Sequence, residues 1–138
     1  MIKSEILHPQ LLSGLAKCGH KTNIVIADSN YSFVTNSARD AEIIYLNLAP
    51  GMIRSTVILE KIVKYINIET VTFMEYPADF NNTIAAEYKA LLPADTDIAY
   101  VGRNEFYALA KSQDTLLVIA SGEAKRFANL IITVGVVA

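Results

Sequence analysis

The stretch Gly19-His20-Lys21-Thr22-Asn23-Ile24-Val25-Ile26-Ala27-Asp28 decides how the rest of the chain is interpreted. It combines a glycine typical of a helix end with a histidine, a short apolar strand and an aspartate. Asp28 should follow the carboxyl end of the strand, the edge at which open α/β sheets bind ligands. We expect His20 and Asp28 to face the same rim and to form an acid/base site.

Strand-like and helix-like segments alternate outward from this stretch. Helices are predicted to begin at Pro9, Asn81 and Asn104, and a further helix is predicted with Ser55 or Thr56 as its N-terminal cap. Strands are predicted over residues 23–27, 41–46, 71–76, 97–101, 115–119 and 129–134. Strands that alternate with helical stretches indicate βαβ units and a largely parallel sheet. The sequence therefore predicts a single α/β domain over residues 1–138, with three layers in which helices flank a mainly parallel β-sheet.

Composition indicates contacts between copies of the chain. Apolar residues make up 52% of the sequence, slightly above the roughly 45–50% of soluble domains. A small domain has little interior for this surplus, so we expect a homo-oligomer. The apolar C-terminal run over residues 129–138 supports that expectation.

Several classes of partner are not expected. Twelve basic and 14 acidic residues give a net charge of −2, and no basic block is present, so nucleic acid is not an expected partner. No apolar run approaches the roughly 20 residues that span a bilayer, and the N-terminus lacks a signal-peptide pattern. We therefore expect no membrane association and a cytoplasmic protein.

No cofactor is expected either. The sequence lacks glycine-rich phosphate-binding motifs, and Cys18, the single cysteine, would form only a poor zinc site with His20 and Asp28. We therefore expect no metal and no nucleotide cofactor. Cys18 is also a weak nucleophile candidate, because a helix C-terminus disfavours its thiolate.

The candidate site residues have alternative interpretations. His20 could bond the last carbonyls of the preceding helix, and Asp28 could cap a following turn. Arg103 directly precedes a helix, where a cation opposes the helix dipole by roughly 0.3–1 kcal/mol. Glu105 or an oxygen-rich ligand could offset that cost, and a solvated arginine is the third possibility.

The chain as a whole resembles the family of D-ribose pyranase and L-fucose mutarotase. The resemblance is collinear and consists of several short motifs in order: Cys18-Gly19-His20, the strand that ends in Asp28, Arg103-Asn104-Glu105-Phe106-Tyr107, Ser121-Gly122-Glu123, Ala128-Asn129 and the terminal Thr133-Val134-Gly135-Val136. No single motif identifies the family, but their order and spacing do.

The resemblance implies roles for these residues. It makes His20 the proton donor and Asp28 a sugar-binding residue. The family has histidine in its ribose pyranases or arginine in its fucose mutarotases at the position of Arg103, which favours the fucose branch. The last sugar-binding segment is typically Tyr-x-Asn, but here it ends in Asn129 and begins with Phe127, which lacks the phenolic hydroxyl. Tyr31 is a hypothetical replacement source of that hydroxyl.

The resemblance also implies an activity and an assembly. The activity is interconversion of the anomers of L-fucose, or of a similar free aldose, by ring opening and reclosure without a cofactor. The partner is then a free monosaccharide of the L-fucose or D-ribose type. The family assembles as a decameric ring with sites at subunit contacts. Two alternatives remain open. One is a D-ribose pyranase. The other is a non-catalytic monosaccharide-binding or regulatory module, which the missing hydroxyl at Phe127 suggests.

Overall fold

Six strands and four helices alternate in the computed structural model, which describes residues 1–137. The helices are α1 (Pro9–Lys17), α2 (Ser55–Ile62), α3 (Ile84–Leu91) and α4 (Arg103–Ala110). The strands are β1 (Asn23–Ala27), β2 (Glu42–Tyr45), β3 (Ile68–Met74), β4 (Asp97–Val101), β5 (Thr115–Ala120) and β6 (Leu130–Val134). They form one sheet in the order β2-β5-β1-β6-β3-β4.

The sheet is mainly parallel, as predicted, and β6 is the exception. The pairs β2–β5, β5–β1 and β3–β4 are parallel, whereas β6 runs antiparallel to both of its neighbours, β1 and β3. The reason is the connection: a parallel neighbour needs a long crossover, usually a helix. Residues 121–129 contain no helix, so the chain turns back at the carboxyl edge of the sheet.

Three helices cover one face of the sheet, and α4 with the loop after β1 covers the other, which gives the predicted three layers. One core cluster joins the sheet to α1, α2 and α3 through residues such as Leu11, Leu59 and Tyr88. The second cluster joins the other face to α4 through Phe106 and to the loop after β1 through Tyr31. Among the described residues, no helix is long and apolar enough to cross a membrane.

The apolar C-terminal run has a different role from the one expected. Its strand, β6, is buried on both faces because it lies between β1 and β3 within this chain. The run therefore does not support an oligomer, although Val136 and Val137, beyond the strand, are exposed. Residue 138 lies outside the described residues.

The N-terminal caps of α1 and α2 differ from each other. His8 caps α1, since its Nδ1 accepts a hydrogen bond from the backbone N–H of Leu11 at 3.2 Å. No side chain caps α2, which begins at Ser55. Its hydroxyl bonds the buried carboxylate of Glu123 at 3.0 Å instead, so the predicted cap by Ser55 or Thr56 is wrong.

Candidate functional site

The two ends of β1 carry the two residues that the sequence placed together. His20 precedes the strand and Asp28 follows it, and the strand's five residues alone span about 16 Å at roughly 3.3 Å per residue. The expectation that both face the same rim of one chain is therefore wrong. The reason is the strand itself, because an extended segment carries its flanking residues to opposite edges of the sheet.

A pocket opens at the carboxyl edge, beside Asp28. It encloses about 230 Å³, less than the roughly 300–1,000 Å³ of pockets for drug-sized ligands. Its lining combines one carboxylate, two guanidinium groups and two amides with an aromatic and apolar wall: Asp28, Asn30, Tyr31, Met74, Arg103, Tyr107, Arg126, Phe127 and Asn129. Size and lining fit one small molecule rich in hydroxyl groups.

Asp28 is held by backbone donors from two loops. Its side chain accepts a hydrogen bond at Oδ1 from the N–H of Asn30 at 3.0 Å and at Oδ2 from the N–H of Ala128 at 3.3 Å. The residue is only 2% exposed, and burial raises the pKa of its carboxyl despite these donors. Asp28 thus both caps the following turn and lines the pocket.

Asn129 is tied to the same aspartate. Its Oδ1 accepts a hydrogen bond from the backbone N–H of Asp28 at 2.7 Å. This bond uses the amide oxygen, so the two N–H groups of the side chain are left to donate to a ligand. Loop 121–129 and the end of β1 are therefore joined at the pocket.

Phe127 occupies an uncommon backbone conformation, with a φ of 53°. A residue other than glycine adopts the left-handed region at an energetic cost, so the surrounding contacts must hold it there. The ring packs edge-on against Phe80 with the centroids 4.9 Å apart. Its face toward the pocket is apolar and offers no hydroxyl.

A buried polar chain supports the segment that carries Phe127 and Asn129. The hydroxyl of Tyr88 donates to the carbonyl oxygen of Ala128 at 2.6 Å and lies 2.5 Å from the Oγ of Ser55. Ser55 in turn donates to Glu123, which is 2% exposed and also bonds the Nε of Arg54 at 3.1 Å. These bonds connect α2 and α3 to the loop and fix its position at the pocket.

Two arginines line the pocket from exposed positions. Within residues 1–137, neither Arg103 nor Arg126 has a carboxylate within ion-pair distance. Glu105 lies in the first turn of α4 and favours the helix dipole there, but it forms no ion pair with Arg103. The Arg126 guanidinium lies over the rings of Phe80 and Phe127, at 5.6 and 5.5 Å from their centroids. Both groups are free to donate to oxygen atoms of a ligand.

Tyr31 lines the pocket with its ring, but its hydroxyl is used elsewhere. It donates to the carbonyl oxygen of Asn36 at 2.6 Å, and burial raises its pKa. The hypothesis that Tyr31 replaces the hydroxyl missing from Phe127 is therefore not supported, because its proton is given to the backbone of its own loop.

His20 lies at the opposite, amino edge of the sheet. Its Nε2 is 3.2 Å from Oε1 of Glu69, a residue of β3 that also pairs with Lys21. The imidazole side chain is 46% exposed, and it does not bond the last carbonyls of α1. Nearby Cys18 is partly buried, and burial raises the pKa of its thiol to about 11, which makes it a poor nucleophile.

Sequence reasoning missed four lining residues: Asn30, Met74, Tyr107 and Arg126. Asn30 and Arg126 lie within two residues of predicted site residues, and Tyr107 lies one helical turn after Arg103. Helix spacing could therefore have indicated Tyr107, since residues four apart share a face. Met74 gives no such signal, because an apolar residue at a strand end is typical of a core.

The fold and the pocket define an α/β protein with a polar site of monosaccharide size at the carboxyl edge of its sheet. The family model of the RbsD / FucU transport protein family matches residues 1–137. The chain belongs to this family, and the resemblance stated from its motifs is confirmed.

Relatives of both branches are similar to the chain. A D-ribose pyranase of Geobacillus kaustophilus is 32% identical over 136 residues, covering 99% of this chain and 95% of that protein. The human fucose mutarotase is 28% identical over 143 residues, covering 96% and 91%. The structure of Bacillus subtilis RbsD complexed with D-ribose superposes with a TM-score of 0.87 at 28% identity, over the whole of both chains.

Proposed function

We propose that this protein is an aldose mutarotase or pyranase, an isomerase that interconverts the ring forms of a free monosaccharide. The pocket is the observation that carries the proposal. It gathers Asp28, Arg103 and Asn129 around a volume of about 230 Å³ in a chain whose relatives carry the names D-ribose pyranase and fucose mutarotase.

The chemistry is proton transfer at a hemiacetal. Ring opening adds a proton to the ring oxygen and removes one from the anomeric hydroxyl, and reclosure after rotation about one bond reverses both transfers. Histidine suits this exchange because imidazole both gives and takes protons near neutral pH. No electrons are gained or lost, so the reaction requires no redox cofactor.

The pocket residues orient the sugar for that exchange. Asp28 accepts hydrogen bonds from sugar hydroxyls, while Arg103 and the Asn129 amide donate to the remaining oxygens. Fixing one ring geometry lowers the entropic cost of reaching the reactive arrangement. Phe127 supplies an apolar surface for the carbon skeleton.

His20 acts on a sugar held by another copy of the chain. It cannot reach the pocket of its own chain, because β1 separates it from Asp28. A site formed between two copies brings the amino edge of one sheet to the pocket of the next, and repetition of that contact gives a closed ring. In our proposal the ring is a homodecamer.

Surface residues are consistent with such an assembly. Apolar side chains from the end of β2 to the first turn of α2 are exposed in the single chain: Tyr45, Leu48, Met52, Ile53 and Val57. Several large apolar side chains left exposed on one segment suit a surface that contacts another protein chain. They account for part of the apolar surplus that β6 does not explain.

L-Fucose is the substrate we propose first, because Arg103 stands where the resemblance implies arginine for fucose mutarotases. D-Ribose is the alternative within the same chemistry. We further propose that the protein acts in the cytoplasm, in keeping with relatives that are named as sugar-interconverting enzymes.

Exchange NMR at anomeric equilibrium tests the proposal. We expect new cross-peaks between the anomeric protons of L-fucose when the wild-type protein is added, and none with buffer alone. Exchange of D-ribose but not of L-fucose would assign the protein to the pyranase branch. Calorimetric binding of a monosaccharide without exchange of L-fucose, D-ribose or D-galactose would overturn the enzyme and leave a binding module.

Co-expression of two inactive variants tests the shared site. His20→Ala and Asp28→Asn each remove one half of every site, so each homo-oligomer should be inactive. A mixed oligomer regains about one quarter of its sites when the halves come from different chains at random. If His20 and Asp28 acted within one chain, mixing would restore no activity.

A further inference from the structure

The pocket contains one phenol whose hydroxyl has no role in the fold. Two tyrosines line the cavity, Tyr31 and Tyr107. The hydroxyl of Tyr31 donates to Asn36, and the third aromatic residue of the wall, Phe127, has none. Tyr107 is therefore the phenol left to contact a ligand.

The Tyr107 hydroxyl is unpaired and accessible. Within residues 1–137, no backbone or side-chain group forms a hydrogen bond with it. The buried side-chain polar atoms of these residues that lack a hydrogen-bond partner are Nη2 of Arg54 and Oγ1 of Thr96. The Tyr107 oxygen is not one of them, so it is not buried. Solvent, or a ligand in its place, reaches the hydroxyl.

The ring that carries this hydroxyl is held in place. It meets Tyr31 at a centroid distance of 5.9 Å and an interplanar angle of 64°, and Phe106 at 6.5 Å and 79°. Edge-to-face contacts of this kind are favourable and restrict the ring. A fixed ring gives the hydroxyl a defined position, so a hydrogen bond to a ligand loses little side-chain entropy.

Helix geometry points Tyr107 and Arg103 at the same ligand. The two residues are four positions apart on α4, so their side chains share one face, and both line the pocket. Arg103 can only donate hydrogen bonds, and the Asp28 carboxylate only accepts them. A phenol does both, so it can pair with a sugar hydroxyl that acts as donor to one neighbour and acceptor from another.

We propose that the Tyr107 hydroxyl binds a hydroxyl of the aldose directly and helps to set which sugar the pocket accepts. The proposal rests on the proposed function and extends it to a residue outside the site predicted from the sequence. It also explains how the pocket functions with Phe127, because the phenolic group approaches from α4 instead of from loop 121–129.

Tyr107→Phe is the direct test, measured as calorimetric binding of L-fucose and D-ribose and as NMR exchange. Its hydroxyl bonds no protein group, so the variant loses no folding contact and should unfold at the wild-type temperature. We expect sugar affinity and kcat/KM to fall about tenfold, the loss of one hydrogen bond in a site built for it. The control, Tyr100→Phe, removes the same atom from a β4 residue outside the pocket lining and should change neither value.

A second variant and a second set of sugars exclude a packing effect. Tyr107→Phe combined with Phe127→Tyr returns a hydroxyl to the pocket and should recover part of the affinity. Among monodeoxy sugars, one should bind more weakly than its parent in the wild type but equally in Tyr107→Phe, which identifies the bonded hydroxyl.

The outcomes separate this proposal from the proposed function. Wild-type exchange of an aldose together with unchanged affinity and kcat/KM in Tyr107→Phe would overturn the role of Tyr107 and leave the enzyme standing. Absence of binding and exchange with every aldose in the wild type would overturn both.

Discussion

The two edges of the sheet differ in how their polar groups are held. At the carboxyl edge, Asp28 is buried, and backbone N–H groups of two loops bond its two carboxylate oxygens. At the amino edge, His20 and Lys21 pair with Glu69 through side chains that are exposed or partly exposed. One edge is fixed before a ligand arrives, whereas the other is held only by solvated ion pairs.

This difference teaches which half of the proposed site depends on assembly. Buried, hydrogen-bonded groups keep their geometry in the isolated chain, so Asp28 and Asn129 of the proposed sugar-binding half are held in place without a second copy. Exposed ion pairs contribute little and are screened by salt. In our proposal, a second copy of the chain is what excludes water from the amino edge and fixes the imidazole.

The largest effect should come from removing the imidazole. His20→Ala should lower the rate of anomer exchange by about 10²–10⁴-fold, the usual contribution of a positioned acid or base. The melting temperature should change little, because His20 is exposed in its own chain. Calorimetric sugar affinity should also change little, because in our proposal Asp28, Arg103 and Asn129 supply the hydrogen bonds that hold the sugar. Unchanged exchange in this variant would remove His20 from the mechanism and leave the pocket edge as the whole site.

Tyr88→Phe should give the next largest effect, this time on stability. It leaves the buried carbonyl of Ala128 without its 2.6 Å donor, which should cost about 1–3 kcal/mol in the free energy of unfolding. Tyr65→Phe is the matched control at the amino edge, since its hydroxyl bonds Ser4 and Ile6 in a more exposed setting. Urea denaturation should show the smaller loss for Tyr65→Phe, and equal losses would contradict the contrast between the edges.

Glu69→Gln should have a smaller effect, and only on the rate of anomer exchange. It removes the charge that pairs with His20 and Lys21, and an exposed pair of this kind should be worth about two- to fivefold in exchange rate. Glu60→Gln removes an exposed carboxylate from α2 and serves as the control. A loss from Glu69→Gln as large as that from His20→Ala would show that the amino edge is organised by the ion pair and not by assembly.

The smallest expected effect is a difference in the pH at which Asp28, at the carboxyl edge, and Glu69, at the amino edge, lose their protons. Burial raises the pKa of Asp28 above its ordinary 3.8, whereas hydrogen bonds from Lys21 and His20 lower the pKa of Glu69 below its ordinary 4.5. Asp28 therefore adds stability below its unfolded pKa that is lost as pH rises through the folded value. Glu69 adds stability above its unfolded pKa that is lost as pH falls through the folded value. Carboxyl NMR titration checks the order, and protonation of Glu69 at the higher pH would contradict it.

Much of the fold follows from local patterns. The strands Asn23–Ala27 and Asp97–Val101 were predicted residue for residue, because short β-rich segments there are bounded by polar or turn-forming residues. The beginning of β3 was missed, since Glu69 and Thr70 interrupt the apolar pattern that marks a strand.

Part of the candidate site could also be predicted from the sequence, and part could not. The positions of Asp28, Arg103 and Asn129 at one pocket follow from the carboxyl-edge rule and from the motifs. The hydrogen bonds of Ser55 and Tyr31 could not be predicted, because their partners, Glu123 and the carbonyl of Asn36, are set by folded loops. His20 was misplaced because sequence proximity was taken as spatial proximity across an extended strand.

The central position of β6 has a consequence for biosynthesis. The sheet consists of two halves, β2-β5-β1 and β3-β4, and the sixth strand is the one that hydrogen-bonds to both. Ribosomes make residues 130–134 after every other element, so the nascent chain must keep two unjoined strand edges apart from other chains until then. Late closure of this kind leaves two open β-edges on the emerging polypeptide, and open edges are where one chain pairs wrongly with another during folding.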